Sequence, residues 1–403
     1  MTMAADKQDK VLNFSSEREQ SRACSSSAER EKNQGKNFLN VPNLRFPEFT
    51  DEWKICKVGD YGKIITGSTP PTSDNTNYAG GTQLWASPVD LGQTKFVTDT
   101  QTKLSSIGFS KTRKLPVGSV LVTCIGSTIG KMGMTATEMS TNQQINSIVV
   151  DSQYDNHFVY YALQSRFPRY LTSVAVQAVP IMSKSSFEKL QNYRTTFKEQ
   201  KKIGALLNLI DERISTQIRI IDKLKSLMKG LAEHLTAFTP NTKIADCLNC
   251  HSSILQENQV KNEGKYKVYG ANGICGYNDS PAILEDAILI VKDGSGVGNV
   301  SYASGEYSVI GTSNYLTAKS GYSLKYLYFC LMIFNFVPYR TGMAIPHIYF
   351  KDYGKALIPC PSLNRQKQIA TLLSKIECKI ETEKTITESY LQQKRFLLKS
   401  MFI

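Results

Sequence analysis

The chain has 403 residues, 48 Lys and Arg against 35 Asp and Glu, a formal charge of +13 and 41% hydrophobic residues. At about 150 residues per domain that length suggests two or three domains; the apolar share is enough for ordinary cores, so the chain is not disordered overall, and 26 Gly and 14 Pro exclude a collagenous one. The basic excess points to a polyanionic partner, nucleic acid first.

Residues 1–36 hold seven basic and six acidic side chains, a serine run at Ser25–Ser27 and almost no apolar periodicity. They read as a disordered tail. The N-terminus lacks the apolar core of a secretory signal. Nine cysteines are scattered without framework spacing, so a reduced, cytoplasmic protein is expected.

A first globular body of mixed α/β character is expected over 37–198. Ser119-Val-Leu-Val-Thr-Cys-Ile125 reads as a strand followed by a glycine-rich turn, and His157–Ser165 as a buried helix. A long helix follows over 199–238, from Glu199 to Phe238, ended by Thr239-Pro240. Its Ile203, Leu207, Ile210, Ile214, Ile221, Leu224, Met228, Leu231 and Leu235 fall on alternating three- and four-residue steps, with Gln217 the one polar position. That is a coiled-coil seam.

The second body, 239–362, contains the strand-like Ala287-Ile-Leu-Ile-Val291 and a buried helix over Leu324–Phe334. Its most apolar run, Tyr326–Val337, is too short to span a bilayer, and no membrane partner is expected. Cys247-Leu-Asn-Cys250-His251 copies the haem-attachment string, yet only Cys275 lies nearby and no export signal accompanies it. Coincidence is the better account. A second helix closes the chain over 363–403, with a seam at Ile369, Leu373, Ile376 and Ile380 that degrades at Glu383, Thr387 and Lys394.

The decisive feature is an internal repeat. Residues 199–214, EQKKIGALLNLIDERI, align with 365–380, RQKQIATLLSKIECKI, at an offset of 166. Val179-Pro180 recurs as Ile345-Pro346 at the same offset. Cys124-Ile-Gly-Ser-Thr-Ile-Gly-Lys131 faces Lys292-Asp-Gly-Ser-Gly-Val-Gly-Asn299 at an offset of 168, and the earlier parts match poorly. Each seam needs a partner, and the other copy's helix is the nearest at hand.

No active site is legible. Gly126-Ser-Thr-Ile-Gly130-Lys131-Met132 has three residues between its glycines, not four, and Met132 where a magnesium-binding hydroxyl belongs. A hairpin turn explains both copies better. Glu199-Gln-Lys201 and Glu377-Cys-Lys379 have nuclease-like spacing, but they read as solvated helix faces. No Asn-Pro-Pro-Tyr or Asp-Pro-Pro-Tyr string is present, and the four histidines form no acid–base constellation. Two diverged bodies spaced by helices are instead suited to reading an asymmetric, bipartite stretch of duplex, the helices acting as a ruler.

The chain here resembles the specificity subunit of type I restriction–modification systems, over about 38–403. The carriers are Leu44-Arg-Phe-Pro-Glu-Phe with Glu52-Trp53, the Gly126–Gly130 turn, Tyr269-Gly-Ala-Asn-Gly-Ile-Cys-Gly-Tyr277, and the Gln-Lys helices beginning at Gln200 and Gln366. The resemblance implies two target-recognition domains joined by antiparallel helices, one double-stranded DNA half-site for each. It implies no catalysis by this chain. The partners implied are two modification subunits that methylate adenine and restriction subunits that translocate and cut. S-adenosylmethionine, ATP and Mg2+ would enter through those partners, with no cofactor or metal bound by this chain.

Candidate DNA contacts in the first body are Lys111, Arg113, Ser127, Thr128, Lys131, Asn142, Gln143, Gln144, Ser183 and Lys184. In the second they are Asn272, Tyr277, Asn278, Lys292, Ser295, Asn299, Ser313, Asn314, His347 and Lys351. All sit in turns or polar segments with hydrogen-bonding or basic side chains. Two other readings stay open: a coiled-coil adaptor for proteins, and a stand-alone DNA-modifying enzyme. Between 239 and 362 ten basic side chains meet nine acidic ones, so the second reader must rely on polar contacts and local charge.

Overall fold

In the computed structural model the described residues are 40–92, 94–174, 180–343 and 345–403. The expected tail, 1–36, lies outside them, as does Val179 of the repeat.

The first body is a five-stranded sheet of β1 (Gly62–Thr66), β2 (Phe96–Val97), β3 (Val120–Thr123), β4 (Met132–Thr135) and β5 (Ile145–Val150), in the order β1-β5-β3-β4-β2. All neighbours are antiparallel except β2 and β4. β3 is buried along its whole length. Val120 and Val122 face helix α1 (Asn156–Val174) with Phe158 and Tyr161, whereas Leu121 faces Leu91, Val97 and Met139. Alternation on a strand sends neighbours to opposite layers, which is why an unbroken apolar run fits there. Helix α1 passes Pro168, beyond the expected stop at Ser165. Phe167 and Tyr170 are buried on either side of that proline, and their packing outweighs the one lost amide bond.

Helix α2 (Phe197–Leu235) leads to a second body built alike. Its strands β6 (Leu248–Ser252), β7 (Ala287–Val291), β8 (Val300–Ala303) and β9 (Ser313–Ala318) run in the order β6-β9-β7-β8, all antiparallel. Helix α3 (Leu324–Met332) packs on Ile288 and Ile290. Each body adds a three-stranded sheet with one antiparallel and one parallel pairing: Gln83–Ala86 between Lys103–Leu104 and Ser140–Thr141, and Tyr266–Gly270 between Gly273–Asn278 and Tyr307–Val309. Between the antiparallel partners the first body inserts 87–102, including β2, where the second has only Ala271 and Asn272. That insertion is one reason the repeat fades toward its N-terminal end.

Helix α4 (Leu363–Ser400) runs antiparallel to α2. Ile203, Leu207, Ile210 and Ile214 share a core with Leu397, Met401 and Phe402 at one end. At the other, Met228, Leu231 and Leu235 meet Ile369 and Leu373. Ile221 and Ile380 are buried, and Leu224 and Ile376 half-buried. Gln217 and Glu383, one repeat apart, bond to each other at mid-length, so the pseudo-twofold axis passes between them. Glu383 is buried where the seam wanted an apolar residue, and Lys379 and then Gln217 hold its carboxyl below the usual range.

The repeated glutamines are staples. Gln200 accepts from Asp155 N (3.0 Å) and donates to Thr195 O (2.8 Å); Gln366 accepts from Ser323 N (3.0 Å) and donates to Pro361 O (2.8 Å). Each ties a body's helix to the start of a long one. Glu199 corrects an expectation. It is fully buried rather than solvated, gripped by Arg45 at 2.6 and 2.8 Å. Glu377 pairs with Lys325 at 2.7 Å, both about a quarter exposed. The end of α4 completes the first body: Leu44 N donates to Ser400 O (2.8 Å), Arg166 to Ile403 O (2.8 Å), and Trp53 meets the Phe402 ring edge-on.

Candidate nucleic-acid interface

At one end of each sheet a set of turns converges. In the first body the Gly126–Lys131 turn joins β3 to β4, and Gly126 N donates to Pro180 O (3.0 Å). Cys124 N donates to Gln144 O (2.7 Å), and Ser68 N donates to Thr141 O (2.8 Å). In the second body Gly294 N donates to Pro346 O (3.0 Å), Lys292 N to Thr312 O (2.9 Å), and Gly311 N to Leu255 O (2.7 Å). The bridges Ile125–Ile181 and Asp293–His347 hold equivalent places. The recurrence of Pro180 and Pro346 therefore marks a shared backbone joint.

Both glycine turns are hairpins, as expected. Gly130 N donates to Thr123 O and Gly298 N to Val291 O, each at 2.9 Å. Amides of Gly126, Ile129, Gly130 and Lys131 are spent on protein carbonyls, so the turn does not cradle a phosphate as a P-loop does. Gly130 (φ +93°) and Gly298 (φ +89°) are in the left-handed region, and a Cβ there would lie 2.8 Å from Phe167 and 3.0 Å from Phe336. Burial pushes the adjacent Cys124 thiol up to about 11, which removes it as a nucleophile. In the haem-like string Cys247 is buried on the short helix Ile244–Cys247, while Cys250 and His251 are neighbours on β6. His251 stacks on Tyr315 at 4.8 Å. Among the described residues no three His, Cys, Asp or Glu side chains gather to hold a metal.

The candidate contacts divide. Ser127, Thr128, Gln143 and Gln144 lie together on the first face, with Ser183 and Lys184 beside it and Lys131 at the turn's base. Asn272, Lys292, Ser295 and His347 lie on the second, with Asn299 and Lys351 at its margin. Asn142, Ser313 and Asn314 are corrected: all three are buried. Asn142 accepts from Gln144 N (3.0 Å) and braces its turn from within, while Asn314 on β9 accepts from Ser252 (2.9 Å), its partner across the paired strands. Tyr277 and Asn278 sit five and six residues along a strand from Asn272, about 17–20 Å from the hairpin tip. Lys111 is engaged by Asp74 (3.2 Å) and Asn77 (2.8 Å), Arg113 by Thr66 O (2.7 Å), and Lys184 by Glu188 (3.6 Å). The same faces also hold Ser68 and Thr69, the latter bonded to Gln143, and the segment from Ser253 to Leu255, none of them among the candidates. Their only signal was a turn-rich string after a strand, since polarity does not tell which end of a sheet a turn occupies.

Two equivalent loop faces carried by two antiparallel helices define a duplicated binding protein with pseudo-twofold symmetry. The family model for the type I restriction modification DNA specificity domain matches residues 50–226 and 242–389, and the chain belongs to that family. It is similar to the type I restriction enzyme HindI specificity subunit of Haemophilus influenzae, at 32% identity over 182 residues, 41% of this chain and 39% of that protein. The MjaIX specificity subunit of Methanocaldococcus jannaschii is 25% identical over 187 residues, 43% of this chain and 42% of that protein. The matched stretches span less than half the length of these relatives. The same fold is seen in the crystal structure of a type I restriction–modification S subunit from M. genitalium, with a TM-score of 0.59 and 17% identity over 90% of this chain and 99% of that one. Among the described residues no helix is long and apolar enough to cross a membrane.

Proposed function

We propose that this chain is the sequence-reading subunit of a type I restriction–modification complex in the cytoplasm. Each body reads one half of an asymmetric, bipartite DNA target, and the α2–α4 pair sets the unread spacer. Adenine methylation and restriction are carried out by partner modification and restriction subunits, which bring S-adenosylmethionine, ATP and Mg2+, while this chain supplies specificity without catalysis. The supporting observation is the pseudo-twofold itself: two faces with matching backbone bonds, Gly126–Pro180 and Gly294–Pro346, on bodies whose side chains differ. DNA has a dyad of its own, so paired faces meet two duplex segments in equivalent ways. The test is a swap of residues 240–362 for the equivalent region of a relative, followed by mapping methylated adenines in cells. One half of the target should change. An unchanged target sinks the two-reader proposal, and methylation by the purified chain alone would favour the enzyme reading.

A further inference from the structure

The two faces differ in chemistry. On the second body large apolar side chains stand in solvent at the turn tips: Ile254 is 95% exposed, Met343 fully, Ile345 58% and Ile274 48%. The backbone joins these tips into one surface. Leu255, next to Ile254, is bonded to Gly311, and Ile310 N donates to Tyr269 O (2.9 Å) on the hairpin that carries Ile274. A Cβ on Gly296 would lie 3.8 Å from Ala271 O at that hairpin's tip. Pro346, beside Ile345, is bonded to Gly294. Among the described residues the matching tips of the first body carry Thr69, Ser127 and Gln143, with Ile181 as an exposed apolar neighbour.

Clustered apolar tips cost solvation free energy that is recovered only when something covers them. Charge narrows what that is. The second body is almost neutral, and Asp293 stands within the face, 2.7 Å from His347. A carboxylate there repels phosphates, so the DNA backbone is directed toward the margin, where Lys351 lies. Base edges are then left over the tips. The apolar group that a duplex offers on its base edges in the major groove is the C5-methyl of thymine.

Resting on the DNA-reading role above, we propose that the second body recognises its half-site through thymine methyl groups, with Ile254, Ile274, Met343 and Ile345 as the contacting side chains. On the first body Thr69, Ser127 and Gln143 offer hydrogen-bonding groups at their tips instead.

The test uses the full chain in complex with its methyltransferase partners and duplexes carrying the mapped target, with uracil in place of thymine in one half-site at a time. Uracil removes the methyl and leaves the pairing edge intact. Affinity should fall about fourfold for each contacted methyl in the second half-site, with little change in the first. The variant I254S/I274S, altered only at exposed positions, should bind more weakly and lose its discrimination against uracil. Sequence-specific binding that ignores uracil, or a mapped second half-site without thymine, overturns this inference and leaves the two-reader proposal standing. Discrimination that survives in the variant overturns the residue assignment. Absence of any sequence-specific binding removes the underlying role instead.

Discussion

The two bodies share one topology and join the helices by different means. In the first, the inserted run 87–102 drives Lys95 into the junction, where its side-chain nitrogen bonds to His157, to Tyr161 (3.0 Å) and to Asn208 (2.8 Å). Asp211 accepts from Tyr161 (2.6 Å) and pairs with Lys394 of α4 (2.7 Å). Arg45 and Glu199 add a second buried ionic joint. The second body has no such insertion. Its junction holds Lys325, 3.8 Å from the centre of the Tyr302 ring and paired with Glu377. Backbone joints recur between the copies because a hairpin or a capped helix start admits few geometries. The side-chain joints diverged because many polar arrangements satisfy the same buried groups.

The sharpest way to break this comparison is at Glu199. Glu199→Ala strands a mostly buried guanidinium and should cost about 3–5 kcal/mol. Arg365→Ala, at the repeat-equivalent exposed position, should cost no more than about 0.5 kcal/mol. Equal losses in chemical denaturation would mean that the two joints are alike after all.

Lys95 gives a pH-dependent contrast. Burial pushes its amine down to about 7 from the ordinary 10.5. Between these values the unfolded chain binds the extra proton, so stability rises with pH across that window, by at most about 1.4 kcal/mol per unit. Urea denaturation at pH 7 and pH 9 should show the rise in the native chain and a flatter response in Lys95→Met. An identical response in both would place the titration elsewhere.

The smallest effect is expected on the axis, where the two halves meet. Gln217→Leu leaves Glu383 facing an apolar partner and should cost about 1 kcal/mol. Adding Glu383→Leu should recover that loss or exceed it, since apolar pairs fill a seam better than polar ones. Thermal melting of the single and double variants decides, and a double variant no better than the single would make the pair a source of stability rather than of register.

Much of the architecture was legible in the sequence. The heptads at Ile203–Leu235 and Ile369–Ile380 announced two long helices, and the offset of 166 announced their equivalence. The glycine turns read correctly as hairpins, because three residues between glycines do not build a phosphate loop. Less of the interface was legible. Asn142 and Asn314 look like surface polarity in a string of letters, yet both are buried, one bracing a turn and the other joined to Ser252 across paired strands. Ile254 and Met343 look like core residues, yet they stand in solvent.

By itself, then, the sequence determined the duplication, the two long helices and the mixed α/β bodies, since periodicity and repetition are local properties that survive without coordinates. Only the tertiary structure decided that Phe402 and Ile403, at the far end of the chain, complete the first body, that Glu199 is a buried partner of Arg45, and which turns share a face. Those facts depend on which strand lies beside which, and pairings between residues far apart in the chain leave no periodic trace in it.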